Sequence, residues 1–290
     1  MAAADYRLLT EATGQRIAAA LEALSGTGAA AAAARANLDV YSKGETDTAI
    51  AQSTAFVPSS GNAGFHNSIY RGKYLGNTFT AEQDAAIRAG NFDGMFVGDY
   101  WTINGVNWVI VGFDIRLNIG DTALTTHHIG VMPRANLYST QWHTSNDTSM
   151  GYVGSAIRAN IKATGGAQEK FIAAFGSANV LSFRELYPTT YSSGNATGWA
   201  WVDARTELLS EVDVYGCPVW SVDGKGYEVG ADMSQLPIFR LRPDFANTRA
   251  TWWLRSVHSA THATSVHAYG YANRNNANAS FGVSPLSLIA

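Results

Sequence analysis

Residues 251–290 read TWWLRSVHSATHATSVHAYGYANRNNANASFGVSPLSLIA, and this stretch decides how the remaining chain is interpreted. It opens on WWL at 252–254 and closes on a second apolar run at 283–289, which Pro285 interrupts. Between these runs, residues 256–282 contain no Asp, Glu, Lys, Gln, Met or Trp and a single Arg. We therefore predict two core strands that hold a polar segment between them. The predicted scaffold residues are Trp252, Trp253, Leu254, Val283, Leu286 and Leu288.

The polar segment, residues 256–282, consists mainly of Ser, Thr, His, Tyr, Asn and Ala. Such side chains offer hydrogen bonds and flat amphipathic surface at a low cost in conformational entropy, as in the binding loops of antibodies. A catalytic site would carry charged or nucleophilic groups, so we predict a binding surface, with some members buried by strand alternation. The predicted ligand-binding residues are His258, Ser259, Thr261, His262, Thr264, Ser265, His267, Tyr269, Tyr271, Asn273, Asn275, Asn276 and Asn278.

The two apolar runs also carry a family resemblance. WWLRS at 252–256, the polar segment and FGVSPLSLI at 281–289 together resemble the C-terminal end of phage receptor-binding proteins with a C-type-lectin-like fold. These include the variable proteins of diversity-generating retroelements, of the major tropism determinant type. In that system template adenines are randomised, and the polar segment has the residue types that randomised Asn codons encode. The family usually has Arg where this chain has Ser284.

The resemblance extends upstream of the polar segment. GDYWTINGVNWVIVGFDI at 98–115, GDTALTTHHIGVMP at 120–133 and GYVGSAIRANI at 151–161 are similar to a domain common in prophage tail proteins, so the likeness covers roughly residues 91–290. It implies an α+β fold with a C-type-lectin-like head. In such a head the N- and C-terminal strands pair, and a long irregular middle, here 121–245, supplies the upper loops.

The N-terminal part has a different pattern. Residues 6–24 place apolar side chains at three- and four-residue intervals, which predicts an amphipathic helix. Such a helix has too little apolar surface to be stable alone, so it associates with copies of itself or packs on the main domain. YSKGETD at 41–47 resembles the repeats of phage tail-fibre stalks.

These features divide the chain into three predicted regions. Residues 1–52 form a helical, coiled-coil-like stalk that oligomerises, expected as a homotrimer. Residues 53–78 contain a run rich in Ser, Gly and Asn and are predicted to be a linker. Residues 79–290 are the C-type-lectin-like receptor-binding domain.

Within the predicted head, the clearest local signals are a capping box and a hairpin turn. TAEQ at 80–83 predicts the start of a helix that ends near Gly90. The dipeptide Asn104-Gly105 lies between two apolar runs, which predicts a β-hairpin with a type I′ turn. Further helices are predicted at 154–161, 168–175 and 206–212.

Composition argues against several functional classes. A net charge of -3 and a pI near 6.1 do not provide the clustered Lys and Arg that nucleic-acid binding needs, and no apolar run is long enough for membrane insertion. The single Cys217 excludes an internal disulfide and is expected to be a small buried residue. His258, His262 and His267 have no Cys, Asp or Glu near them in sequence, so we predict no metal or other cofactor.

Enzymatic activity is not predicted either. Five carboxylates could in principle supply a pair for glycoside cleavage. Their spacing is instead typical of the solvated face of short helices. The chain also lacks the Gly-x-Ser-x-Gly, phosphate-loop and His-Glu-x-x-His motifs. The five carboxylates are Glu185, Asp203, Glu207, Glu211 and Asp213.

The resulting hypothesis is a phage tail-fibre tip, a receptor-binding protein that attaches the virion to a bacterial surface protein or glycan through its polar C-terminal face. Its stalk would join other tail proteins, and the particle would assemble in the host cytoplasm. Two alternatives remain: a structural protein of tail or baseplate assembly, and a polysaccharide depolymerase.

Overall fold

A computed structural model describes residues 63–222 and 234–290. Over these residues the fold is mixed α and β, with mostly sheets and few helices, and this confirms the α+β class. The predicted stalk, 1–52, with its amphipathic helix at 6–24, lies outside the described residues. None of the described helices combines the length and apolarity that a membrane span requires.

The described elements are mostly short strands and helices. The strands are β1 Tyr74–Gly76, β2 Tyr100–Ile103, β3 Val106–Phe113, β4 Ile129–Pro133, β5 Tyr138–Gln141, β6 Phe183–Ser192, β7 Asn195–Ala204, β8 Thr206–Glu207, β9 Trp252–Val257, β10 His262–Val266, β11 Ala272–Asn276, β12 Ser280–Val283 and β13 Leu286–Ile289. The helices are α1 Ala63–His66, α2 Ala81–Arg88, α3 Ala156–Lys162, α4 Ala167–Phe175, α5 Glu211–Tyr215, α6 Pro237–Leu241 and a 3-10 helix at Pro243–Ala246.

The first sheet has the strand order β1-β2-β3-β4-β13-β8. The predicted hairpin is confirmed: β2 and β3 pair in antiparallel fashion, and Asn104 and Gly105 between them have φ values of 53° and 75°. Both residues of a type I′ turn need such positive φ values. The C-terminal strand β13 pairs with β4 and β8. It does not pair with the N-terminal strands as the resemblance implies, because β4 and β8 occupy both of its edges.

The second sheet has the strand order β11-β10-β9-β12-β5. The apolar run at 283–289, predicted as one interrupted strand, is divided between the two sheets. β12 pairs with β5 and β9 in the second sheet, whereas β13 belongs to the first. The change occurs at Ser284 and Pro285, where proline has no N–H to continue a strand ladder.

The third sheet is a long two-stranded hairpin that was not predicted from the sequence. β6 and β7 pair over ten residues each, within the middle predicted to be irregular. Ser193 and Gly194 at its turn have φ values of 50° and 82°, so Ser-Gly takes the role that Asn-Gly takes in the other hairpin. The helix predicted at 206–212 is also wrong, because residues 206–207 form β8 and the helix α5 begins at Glu211.

Three predicted helices are confirmed. Thr80 caps α2, and its side chain and that of Gln83 bond reciprocally to each other's backbone N–H groups. This is the predicted capping box. The helices α3 and α4 match the predictions at 154–161 and 168–175 within two residues.

The described part of the predicted linker, 63–78, packs against the head. The side-chain amide of Asn67 donates to the carbonyl of Phe113 at 2.8 Å, and its oxygen accepts from the Phe113 N–H at 2.8 Å. His66 is buried, and β1 pairs with β2 in parallel. Residues 63–78 are therefore part of the folded head.

Strand β9 anchors the fold on both of its faces. Trp252 and Leu254 belong to one buried apolar cluster, and Trp253 belongs to a second one together with Val283. Successive side chains of a strand point to opposite faces, so the adjacent tryptophans fill different cores. All six predicted scaffold residues are buried.

Candidate binding surface

The polar segment forms β10, β11 and the turn between them, at the outer edge of the second sheet. β10 lies between β9 and β11, whereas β11 is the last strand and has one partner. The register places His262 opposite Asn276 and Thr264 opposite Arg274. Most of β10 is buried, and β11 is half-buried or exposed.

Strand alternation divides the predicted ligand-binding residues between two faces. Residues directly opposite each other in an antiparallel pair share a face. His262, Arg274 and Asn276 therefore lie on one face. Asn273 and Asn275 lie on the other, because side chains alternate along a strand.

Thr264 and Ser265, predicted to contact a ligand, are instead fully buried. The Thr264 hydroxyl donates to the carbonyl of Ser256 at 3.1 Å, and the Ser265 hydroxyl accepts from the Asn275 amide at 2.9 Å. Both faces of β10 are covered, so these hydroxyls stabilise the sheet. Neither side chain is available to a ligand, so the prediction that they contact one is wrong.

The turn between β10 and β11 presents two tyrosines to solvent. The N–H of His267 donates to the carbonyl of Tyr271 at 2.9 Å, and Gly270, with φ of 91°, completes the turn. The imidazole of His267 stacks on the Tyr271 ring with centroids 4.2 Å apart and planes 15° apart. Tyr269 is 76% exposed and Tyr271 is 54% exposed. Large aromatic surface is thus open to solvent on a turn whose backbone is fixed.

Trp220 joins this surface from outside the polar segment. Its indole N–H donates to the carbonyl of Ala272 at 3.3 Å, and the guanidinium carbon of Arg274 lies 3.9 Å from the centre of its ring. His258 contacts Trp220 edge to face at 5.6 Å, and its Nδ1 lies 2.8 Å from the Trp220 carbonyl oxygen. Neither Trp220 nor Arg274 was predicted as a site residue. The sequence contains one feature that could have pointed to Arg274, because it is the only charged residue of the polar segment. It contains no such feature for Trp220.

A buried carboxylate holds Trp220 in place. Glu211 Oε2 accepts from the backbone N–H groups of Val219, Trp220 and Ser221 at 2.8, 2.9 and 2.8 Å. Glu211 is the first residue of α5 and is fully buried. Hydrogen bonds to a charged acceptor are among the stronger ones in proteins. The backbone under Trp220 is therefore fixed, although 37% of the Trp220 side chain is exposed.

The loop before β10 carries three more of the predicted residues. His262 Nδ1 lies 2.8 Å from the Thr261 hydroxyl and 3.3 Å from the Ser259 hydroxyl. Burial lowers the pKa of His262, and the neighbouring His258 and Arg274 lower it further. His262 is therefore neutral at pH 7, and Arg274 supplies the fixed positive charge on its face.

Two other segments support this loop. The Thr148 hydroxyl donates to the Ser259 carbonyl at 2.6 Å. The tip of the β6–β7 hairpin approaches so closely that a side chain at Gly194 would lie 3.0 Å from the Ser259 Cα. The remaining predicted residues lie further along: Asn276 and Asn278 are exposed, and the side-chain amide of Gln141 donates to the Asn278 carbonyl at 2.7 Å.

We name the resulting patch the aromatic surface. Its members are exposed or half-buried and form two linked groups, one around Trp220 and one around His267. The hydrogen bond from the Trp220 indole to the Ala272 carbonyl connects the two groups at the start of β11. It consists of Trp220, His258, His262, His267, Tyr269, Tyr271 and Arg274.

The carboxylates considered for glycoside cleavage are mostly not solvated. Glu185, Glu207, Glu211 and Asp213 are buried, and Asp203 alone is exposed. The prediction of a solvated helical face is wrong for the four, since Glu185 and Glu207 lie on strands and α5 buries the other two. Asp203 is solvated as predicted, but it lies on β7 and not on a helix. Neighbouring side chains and backbone N–H groups offset the negative charge of these buried carboxylates instead.

Two arginines pair with two of these carboxylates in a buried quartet. Arg255 donates to Glu185 Oε1 at 2.9 Å and to Asp213 Oδ2 at 3.0 Å, and Arg116 donates to Glu185 Oε2 at 3.2 Å and to Asp213 Oδ1 at 3.1 Å. Burial alone would raise the pKa of Asp213, but Arg255 and Arg116 outweigh it and lower the pKa. The quartet is neutral overall, which makes its burial tolerable.

Two further features concern metal and thiol chemistry. In residues 63–222 and 234–290, no group of three or more His, Cys, Asp or Glu side chains is arranged to hold a metal ion. Cys217 is exposed, not buried as expected, because it follows Gly216 in the loop that leaves α5.

Comparison with known proteins adds no relative. No family model matches the chain, and no curated protein or solved structure matches it.

Proposed function

We propose that this chain is a phage receptor-binding protein that attaches to a bacterial surface ligand through the aromatic surface. The observation that carries the proposal is the exposure of Trp220, Tyr269 and Tyr271 around the turn that joins β10 and β11. Exposed aromatic clusters with polar neighbours are typical of binding sites, and Trp, Tyr and Arg are the residues that most often dominate binding energy.

The contacts within the patch favour binding over a purely structural role. Tyr271 is stacked on His267, and Trp220 is held from below by Glu211 and covered by Arg274. Because these side chains are already ordered, a ligand does not have to order them, and less free energy is lost on binding. One such patch gives weak, reversible attachment. Several copies on one particle would raise the effective concentration and the residence time.

We also propose an architecture for the whole chain. The head is C-type-lectin-like, and residues 1–52 form a trimeric stalk that joins other tail proteins of the virion. The polar segment is the variable part, as in proteins of diversity-generating retroelements. The arrangement of framework strands supports this: β9 is buried on both faces, while β11 lies at the sheet edge.

Adsorption of the labelled chain to a panel of bacterial strains tests the proposal. Tyr271→Ser is compared with Tyr74→Ser, because the two tyrosines are 54% and 51% exposed and Tyr74 lies outside the aromatic surface. We expect Tyr271→Ser and Trp220→Ala to weaken adsorption by about 10-fold or more, the size of a binding hot spot. Tyr74→Ser should adsorb like the wild type.

The outcomes separate the three functions. Equal adsorption of Tyr271→Ser, Trp220→Ala and the wild type would contradict the proposal. Variants whose particles fail to assemble would favour the structural tail protein, and release of reducing sugar from host polysaccharide would favour the depolymerase. Sequencing the flanking DNA for an adenine-rich near-repeat beside a reverse transcriptase tests the diversification.

A further inference from the structure

A cavity of about 180 Å³ lies at the first sheet, apart from the aromatic surface. Strands β2 and β3 contribute Tyr100, Asn107 and Val109, and the segment after β4 contributes Arg134. Tyr70 and the 3-10 helix residue Phe245 complete the wall together with Arg242 and Asp244. None of these residues belongs to the aromatic surface or to the predicted ligand-binding set.

Arg134 directs an unpaired positive charge at this cavity. Its backbone N–H donates to the Asn107 carbonyl at 2.8 Å, and its guanidinium carbon lies 4.6 Å from the centre of the Phe245 ring. Among the described residues, this guanidinium forms no hydrogen bond or salt bridge, and Asp244, whose pKa is lowered chiefly by Arg242, feels the charge of Arg134 only at longer range. A guanidinium stacked on a ring keeps its N–H donors in its own plane, so the edge of Arg134 is free for a planar anion.

The second arginine of the cavity is already neutralised. Arg242 donates to both carboxylate oxygens of Asp244, at 2.9 and 2.7 Å. Its guanidinium carbon lies 4.5 Å from the centre of the Tyr70 ring. The lining therefore has one net positive charge, and it is carried by Arg134.

The opposite wall is ordered before any ligand arrives. Tyr70 forms a backbone bridge with Val97, and its ring lies directly against Gly98. A Cβ atom at Gly98 would be 2.2 Å from the Tyr70 ring, and the φ of 89° at Gly98 is one that other residues rarely adopt. Glycine is thus required there for the ring to occupy its place.

We propose that this cavity binds a single carboxylate-bearing sugar, with the carboxylate held by Arg134. The volume is below the roughly 300 Å³ at which pockets for drug-sized ligands begin, so it accommodates one ring with its substituents. Tyr100 and Val109 provide apolar wall for the C–H face of a sugar ring, and the Asn107 amide and the tyrosine hydroxyls can bond to its hydroxyls. A bare inorganic anion would leave the apolar wall uncovered. The inference stands independently of the proposed attachment through the aromatic surface.

Titration of the full chain with sodium D-glucuronate tests the inference, with D-glucose as the uncharged comparison. Binding is measured by calorimetry and by ligand-observed NMR. We expect glucuronate to bind and glucose to bind at least 10-fold more weakly. Arg134→Met should weaken glucuronate binding by about 10- to 100-fold, as for the loss of a charge-assisted pair. The matched control is Arg240→Met, which removes the same charge from an exposed residue outside the cavity and should bind like the wild type.

Three results would overturn the inference: unchanged affinity in Arg134→Met, equal binding of glucose, or displacement of glucuronate by an equal concentration of inorganic phosphate. Circular dichroism checks that each variant is folded. If Arg134→Met is not folded, Tyr70→Ala decides, because its side chain is 38% exposed and its loss removes one wall. Unchanged glucuronate binding in Tyr70→Ala would then refute the site.

Discussion

Replacing Arg255 by Met should destabilise the head strongly, because it leaves the buried quartet with one uncompensated negative charge. Arg255 bonds to Glu185 and Asp213, and the three side chains are 12%, 8% and 2% exposed. Removing one partner of a buried ion pair costs about 3–5 kcal/mol. For a domain of this size, 1 kcal/mol changes the melting temperature by about 2–4 °C, so Tm should fall by roughly 6–20 °C.

Arg184 offers a matched control on the surface. Like Arg255, it bonds to two carboxylates, those of Asp121 and Asp203, at 2.8 Å each for the shortest contacts. These side chains are 27%, 38% and 89% exposed, however. Exposed ion pairs are screened by solvent and contribute little to stability, so Arg184→Met should lower the unfolding free energy far less than Arg255→Met does.

Thermal and urea unfolding, followed by circular dichroism, measure both variants at pH 7. The double variant Arg255→Met with Glu185→Gln removes the uncompensated charge as well, and it should be more stable than Arg255→Met alone. The reasoning is refuted if Arg255→Met and Arg184→Met lose equal stability, or if Glu185→Gln adds its full cost to that of Arg255→Met. Either result would mean that burial does not set the strength of these pairs.

Two further predictions concern His128 and Glu211. Burial lowers the pKa of His128 from 6.5 to about 4, so its contribution to stability is fully present above pH 6.5 and is lost as the pH falls towards 4. The unfolding free energy of His128→Gln should therefore depend less on pH in this window, and identical slopes would exclude His128 as the group responsible. In Glu211→Ala, hydrogen exchange of the 219–221 amides should accelerate about 10-fold or more, since each loses a bond to a charged acceptor. Amides of β3 serve as the internal reference, and unchanged exchange at 219–221 would show that another group holds this loop.

Local signals in the sequence were sufficient to predict the elements whose formation depends on a few neighbouring residues. The capping box of α2 involves Thr80 and Gln83, and the first hairpin depends on Asn104 and Gly105. Here the partners are at most a few positions apart, so the pattern contains the whole interaction. The C-terminal framework residues were recognised as core for a similar reason, because their apolar side chains lie next to one another in the sequence at 252–254 and 283–289.

The surroundings of the carboxylates could not be read from local spacing. Arg116 donates hydrogen bonds to Glu185 and Asp213, which lie 69 and 97 residues further along the sequence. A carboxylate in a short helix is usually solvated, and only the tertiary fold decides whether an arginine covers it. The same holds for Trp220, which reaches the polar segment because Glu211 fixes its loop.

The order of β9, β10 and β11 across the second sheet limits which positions of the polar segment tolerate substitution. β9 fills two cores through Trp252 and Trp253, so substitutions there remove packing on both sides. β10 buries the hydroxyls of Thr264 and Ser265, where a larger or charged side chain has neither space nor a partner. β11 has a single neighbour and exposes Arg274. Substitutions at the exposed side chains of β11 and its turn therefore alter the surface without altering the core, and this is the property that a diversifying binding site needs.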